Sequence, residues 1–405
     1  MIKREKKMFV QETSRKIPVR GEYDVIVAGG GVAGVAAALS ARRAGARVLL
    51  IEKSYLIGGL ATSGLVTVYL PLCDGMGQQV SFGIAEELLR VSVAHGHEDM
   101  DACAWLDENG DREVRKNTRF QTQFNANVCA IAYEQLLLKE GVEILYGTSV
   151  CAAVVEDDAV KALITENKSG REAYTAKSFV DATGDADVCH LAGDATQLFT
   201  QGNVAAYWYY EYFQKEYALH QLGFADIPDK YKTPERKAKD TRKRYGGLDG
   251  KELTELTCFS HGEILKDFLS KGGVDKDHAL CTVATTPQVR MTRRLDGKYT
   301  LCDEEVRTFF DDSVGMISNW RKKGPVYEIP FRCLYGNLKN LLACGRCISV
   351  TDDMWDITRV IPVCAVTGQA AGLAAALTDD IHALDIRVLQ ENLRKAGVKL
   401  HVDEL

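Results

Sequence analysis

DVIVAGGGVAGVAAALSARRAGARVLLIE, running from Asp24 to Glu52, is the stretch whose reading decides the fold. Tyr23 to Ala28 is a short, β-branched, apolar run of the kind buried in a parallel sheet. It ends in Gly29-Gly30-Gly31-Val32-Ala33-Gly34, a G-x-G-x-x-G turn. In such a turn Gly29 allows the tight reversal, Gly31 lets a pyrophosphate approach the backbone, and Gly34 lets the next helix pack closely on the strand. The alanine-rich segment from Val35 to Ala44 predicts that helix, with its N-terminal amides and dipole aimed at phosphates. Val32 and Ala33, inside the turn, therefore join the three glycines as candidate contacts. Gly45 ends the helix, and ARVLLIE supplies a second strand that places Glu52 where a carboxylate accepts hydrogen bonds from an adenosine ribose. An acid there repels a 2′-phosphate, which disfavours NADP. Strand, turn, helix, strand and acid in this order predict a bound dinucleotide rather than a purely structural βαβ unit.

The remainder of the chain sets the bounds. With 405 residues, 46% hydrophobic and 26% charged, it buries a full core as one large domain or two interleaved ones. A net charge of −6 exerts no global pull on nucleic acid or an anionic membrane. The basic N-terminal arm, residues 1–20, lacks a signal-peptide apolar run, and no span of membrane length follows. Twelve cysteines without scaffold spacing fit a reducing cytoplasm.

Directly after Glu52 comes KSYLIGGLATSGLV, Lys53 to Val66, a second glycine-rich loop able to lie along a pyrophosphate. Its GG-x-AT-x-G-L-V pattern resembles the FAD-dependent oxidoreductases of the glutathione-reductase-like, two-dinucleotide-fold flavoprotein superfamily. Three further blocks are similar in the same order: Phe179–Gly193, Pro287–Leu301 and Asn340–Leu377. The resemblance implies a Rossmann-like α/β fold with a parallel central sheet, an inserted α+β cap, and non-covalent FAD. It implies cofactor contacts at Lys53, Gly58, Gly59, Leu60, Ala61 and Thr62, at Val150 beside the adenine, and at the Ala182-Thr183-Gly184 turn. It further implies Gly345 and Arg346 near the ribityl-pyrophosphate, with Arg359, Val360, Ile361 and Val363 against the flavin ring. Independently of the family, Pro362 opens a small-residue helix containing Gly368 and Gly372. Such an N-terminus stabilises the negative charge of a reduced flavin.

The expected organisation is a discontinuous FAD-binding domain (21–68, 125–200 and 326–380), a substrate or cap region (69–124 and 201–325) and a helical tail (381–405). For chemistry, the alternation in QVRMTRRLDG turns Arg293 away from Arg290 and Arg294, and one inward arginine would clamp an anion or stabilise an enolate-like state. Arg359 has the stronger claim through the resemblance. TDDMWDITR stands where relatives often carry histidines, making Asp352 and Asp356 acid/base candidates and Trp355 a pocket wall. Cys344 and Cys347 read as buried thiols rather than a redox pair, and no histidine spacing suggests a metal. The expected activity is hydride exchange between flavin N5 and a small organic substrate, with the electron partner unspecified and a homo-oligomer left open. Two alternatives stand beside it: a flavin-dependent RNA-modifying protein using the basic segment Lys230–Tyr245, and a non-redox dinucleotide-binding protein. Nucleic acid is disfavoured by the net negative charge.

Overall fold

The structure is a computed structural model describing residues 10–96, 112–117 and 121–405. The opening stretch folds as β1 (Val19–Ala28), α1 (Val32–Arg43) and β2 (Val48–Ile51). α1 starts three residues before the alanine-rich run because Gly31, extended at φ −66° and ψ 176°, is its N-cap. α2 (Ile84–Val93) and α3 (Ala126–Glu140) follow; the Asn125 side chain accepts from two amides at the start of α3, and Gly141 at φ 82° ends it. Next come β3 (Glu143–Leu145), β4 (Ser149–Glu156), β5 (Ala159–Asn167) and β6 (Gly170–Asp181).

The second half contributes β7 (Tyr207–Phe213), β8 (Glu216–Leu222), α4 (Gly250–Ser270) and β9 (His278–Val283). A hairpin of β10 (Ser313–Ser318) and β11 (Val326–Pro330) precedes β12 (Leu341–Ala343). The chain closes with α5 (Asp352–Thr358), α6 (Ile361–Leu377) and α7 (Ile386–Lys395).

The main sheet runs β3-β2-β1-β6-β5-β4, with β12 also against β6. β3, β2, β1, β6 and β12 are parallel, whereas β6, β5 and β4 form an antiparallel meander. β5 pairs with the first half of β6 and β12 with its last three residues, so β12 takes over the edge where the meander leaves. Register aligns Ala28 with Ile51 and Asp181, Ile51 with Leu145, and Asp181 with Ala343. Five strands thus end level, and the loops beyond them share one rim, the usual ligand position in an open α/β sheet.

Alternation divides the sheet between two cores. Val25, Val27, Val48 and Leu50 face α1 and α6, while Ile26, Ala28, Leu49 and Ile51 face the meander and the short helix Asp187–Leu191. α6 is apolar all round because it is buried all round. It meets α1 so closely that a Cβ at Gly368 would lie 2.2 Å from the Ala33 carbonyl oxygen, and one at Gly372 2.0 Å from that of Ala37. Among the described residues no single helix is long and apolar enough to cross a membrane.

β8, β7 and β9 form a separate antiparallel sheet. Its aromatic run supplies interior: Trp208, Tyr209 and Tyr210 are all buried. Buried Glu211 accepts from Lys271 at 2.8 Å, lies 2.7 Å from His220 Nε2 and meets His278 Nε2 at 3.3 Å, which accounts for two of the histidines. Among the described residues no cluster of three or more His, Cys, Asp or Glu side chains could hold a metal ion.

Candidate functional site

The aligned strand ends open onto one cavity of about 800 Å³. At one end, the G-x-G-x-x-G turn and the second glycine loop are clamped together: the Gly58 amide donates to the Gly30 carbonyl at 2.8 Å, and Gly59 is so close that its Cβ would lie 3.0 Å from the Gly31 Cα. Gly29 needs its φ of 102° for the turn, and a Cβ there would strike the Ala182 carbonyl at 2.5 Å. Gly31 differs, since a Cβ on it would meet nothing within 4 Å. No packing of the protein requires that glycine, and the space it keeps clear is part of the cavity. The first amides of α1 receive no side-chain cap and open on the same cavity wall at Val32 and Ala33. Glu52 is buried at the tip of β2, where one carboxylate oxygen accepts from the Gly30 amide and the other from the Ser54 amide, each at 2.7 Å. The buried Ser63 hydroxyl, also on the cavity wall, has no hydrogen-bond partner among the described residues.

Trp208, Trp320, Arg290, Arg321 and Arg359 wall the opposite end. Asp356, fully buried at the base of α5, accepts from Arg321 at Nε and Nη2 and from Arg359 at 3.2 Å (Nε) and 2.7 Å (Nη2). Burial pushes the Asp356 carboxyl up, but the Arg359 and Arg321 guanidiniums more than offset this and hold it below the usual carboxylate range. Arg290 lies 5.1 Å over the Trp208 ring and donates through Nη2 to Gln288 at 2.9 Å. Its buried Nε has no partner among the described residues.

The FAD dependent oxidoreductase family matches residues 24–204 and 210–393, nearly the whole chain. The chain belongs to the FAD-dependent oxidoreductase family. FAD is its cofactor, and the open face at Gly31, the Glu52 tip, the free first turn of α1 and the unpartnered Ser63 hydroxyl fit such a dinucleotide. A thioredoxin reductase of Ureaplasma parvum is 33% identical over 79 residues, covering 20% of this chain and 26% of that protein. The match thus spans about a quarter of that relative's length. Among solved structures, p-nitrophenol 4-monooxygenase from Pseudomonas putida is similar at 12% identity and a TM-score of 0.47, over 95% of this chain and 85% of that one. A geranylgeranyl bacteriochlorophyll reductase-like protein from Thermoplasma acidophilum aligns at 13% identity and a TM-score of 0.46, over 93% and 83% of the two chains.

Of the residues singled out in this oxidoreductase's sequence, Gly29, Gly31, Val32, Ala33, Glu52, Lys53, Gly58, Gly59, Leu60, Ala61, Val150, Ala182, Thr183, Gly184, Arg346, Arg359, Val360 and Ile361 line the cavity. Gly34, Thr62, Gly345 and Val363 do not. A Cβ on Gly34 would collide with the Gly29 carbonyl at 1.8 Å, and one on Gly345 would lie 2.7 Å from the Ala33 Cβ. The Thr62 hydroxyl donates back to the Ile57 carbonyl at 2.5 Å, and Val363 is buried within α6. These four shape the cavity from behind.

The catalytic candidates separate in the same way. Arg293 pairs with Asp187, a residue of the cavity wall, at 2.6 Å, and Asp352 accepts from Arg294 at 2.8 Å and the Thr200 hydroxyl at 2.7 Å; neither Arg293 nor Asp352 itself lines the cavity. Asp356 sits behind the arginines with its oxygens occupied by them. Trp355 is not a pocket wall: it is fully buried edge-on to Phe199, and Trp320 lines the cavity instead. Ser63, Trp320 and Arg321 are site residues that the sequence reading did not single out, and of the three arginines of QVRMTRRLDG it is Arg290 that lines the cavity. Cavity-lining Cys364 is pushed up by burial to about 11, so it is a thiol at neutral pH; Cys344 and Cys347 are buried and free.

Much of the basic segment's charge is spent internally, although Arg236, Lys237 and Lys239 are exposed. Lys232 is enclosed by Asp226 at 2.5 Å and Asp229 at 2.7 Å, Arg242 and Arg244 pair with Asp226 and Asp240, Lys230 with Asp303 and Glu304, and Lys243 with Glu255. Charges so neutralised build little field for a phosphate backbone.

Ser63→Ala tests the cofactor end. Loss of one hydrogen bond is expected to weaken FAD binding by roughly two- to tenfold, while the cofactor-free protein keeps or slightly raises its Tm because a buried unpaired hydroxyl is gone. Fluorescence titration with FAD and melting with and without it check both halves; equal affinity would remove Ser63 from the site.

Proposed function

We propose that this protein exchanges a hydride between N5 of FAD and a small organic substrate held at the arginine and tryptophan end of the cavity. The observation that carries the reading is the continuity of that cavity. The same space that begins at Gly31 and Glu52 runs on past Val360 and Ile361 to Arg290, Arg359 and Trp320. When bound, FAD supplies a two-electron acceptor or donor at N5. The chain's own residues bind and orient: Trp208 and Trp320 offer flat apolar walls, and Arg359, fixed by Asp356, presents a positioned positive charge. α6 begins at the cavity with Val360 as an uncapped N-cap and Pro362 in its first turn, and its dipole favours negative charge there. The strand ends drawn from 21–68, 125–200 and 326–380 would form the FAD-binding part, and the sheet of β7 to β9 with α4 the cap. A cytoplasmic setting accords with twelve cysteines that lack scaffold spacing.

The test is the visible absorption spectrum of the purified protein, followed by release of the chromophore on denaturation and by anaerobic reduction. A flavin spectrum that leaves with denaturant and bleaches on reduction supports the reading. A colourless protein that takes up no added FAD would overturn it, and a flavin that never exchanges electrons with any small organic compound would favour the non-redox alternative.

A further inference from the structure

Arg290 stands in an unusual environment. It is 9% exposed, has no carboxylate within ion-pair distance among the described residues, and its buried Nε has no hydrogen-bond partner. Around it the cavity wall carries Arg321 and Arg359, and the nearby Asp356 is shared between those two. Three guanidiniums thus face one carboxylate. Burial, and then the neighbouring Arg359 charge, push the Arg290 guanidinium down to about 9, as expected for a buried cation short of a counter-ion.

The protein holds this group in place rather than letting it escape to solvent. The Asn203 side chain accepts from the Arg290 and Met291 amides, each at 3.2 Å, and donates to the Met291 carbonyl at 2.6 Å. Arg346 donates to the Val289 and Arg290 carbonyls at 3.1 Å and 2.9 Å, and Gln288 ties the segment to the Gly64 carbonyl at 2.7 Å. A backbone fastened on both sides of an underpartnered, buried cation is a preorganised anion site, since fixing the donor beforehand removes the cost of ordering it on binding.

We propose that Arg290, Arg321 and Arg359 bind a carboxylate group of the substrate, which makes the substrate of this enzyme an organic anion. The planar fork of a guanidinium matches a carboxylate, Arg290 lines the cavity, and its buried Nε is a donor left unpartnered by the described residues. Trp208, beneath Arg290, and Trp320, beneath Arg321 at 4.2 Å, then flank the carbon skeleton. Arg346 and Asn203 are positioning residues. The proposal rests on the reading that this end of the cavity takes the reducible substrate.

The experiment titrates the FAD-loaded protein with benzoate and with succinate at constant ionic strength, and with neutral benzamide as control. It follows the flavin visible spectrum and, in parallel, the Tm, in wild type, Arg290→Met and Arg290→Lys. Saturable binding of at least one carboxylate is expected, with no comparable response to benzamide. Arg290→Met should weaken that binding on the order of tenfold or more while retaining FAD, and Arg290→Lys should fall between. No carboxylate response in a yellow wild-type protein, an equal response to benzamide, or undiminished binding by Arg290→Met would overturn the proposal and leave the flavoenzyme reading standing. Loss of FAD itself in both variants would assign Arg290 to the cofactor and also overturn it. A wild-type protein that takes no FAD would sink the flavoenzyme reading; the carboxylate-dependent Tm shift and its loss in Arg290→Met would then decide the anion site alone.

Discussion

Replacing Gly31 by aspartate is expected to abolish FAD binding, by more than about 100-fold, while the cofactor-free protein folds as before. The two halves come from one observation: a Cβ at Gly31 meets nothing of the protein within 4 Å, so the substitution strikes only what the cavity holds. Gly31 is also the N-cap of α1, a position that aspartate suits. Its carboxylate would accept from the free first-turn amides and place a negative charge where a pyrophosphate would lie, while stabilising the helix by about 1 kcal/mol. Flavin content after reconstitution and melting of the cofactor-free protein check the prediction. Normal FAD affinity would remove Gly31 from the site, and a collapsed fold would show that the glycine serves packing after all.

Asp356→Asn is expected to be the most damaging change at the other end, destabilising the protein by about 3 kcal/mol or more. The aspartate is 1% exposed and is the carboxylate on which Arg321 and Arg359 converge, so its loss leaves two guanidiniums beside Arg290 without compensation. The sign of the pH dependence follows from its depressed folded-state value: the contribution is fully present above the ordinary carboxylate range and is lost as pH falls through the folded value. The gap in Tm between wild type and Asp356→Asn should therefore be constant from about pH 5 to 8 and close only in stronger acid. An acid/base residue would behave differently, altering the pH profile of turnover with little change in Tm. Melting curves and a pH profile on the same variant separate a positioning residue from a proton carrier.

The two loops at the dinucleotide end of the cavity were legible in the chain because their geometry is local. A strand, a turn that needs φ of 102° at Gly29, a helix and a strand ending in Glu52 follow one another within 29 residues, and short-range stereochemistry suffices to specify them. The second loop could be read as glycine-rich, and the structure explains why: Gly58 bonds to the first turn, and Gly59 passes against Gly31.

The substrate end was not legible in that way. Alternation along Gln288–Leu295 presumed one extended strand, yet only Arg293–Leu295 is a strand, and the orientation of Arg290 is imposed by Asn203 and Arg346 from distant parts of the chain. Trp320 rather than Trp355 reaches the cavity because α5 turns Trp355 inward against Phe199, while the Trp320 indole donates to the Asp356 carbonyl at 2.8 Å. By itself, then, the sequence determined the nucleotide-binding unit and the family, because those reside in contiguous residues whose backbone conformations are dictated locally. Only the tertiary structure decided which arginine stays buried without a counter-ion, because charge compensation depends on which side chains long-range packing brings together.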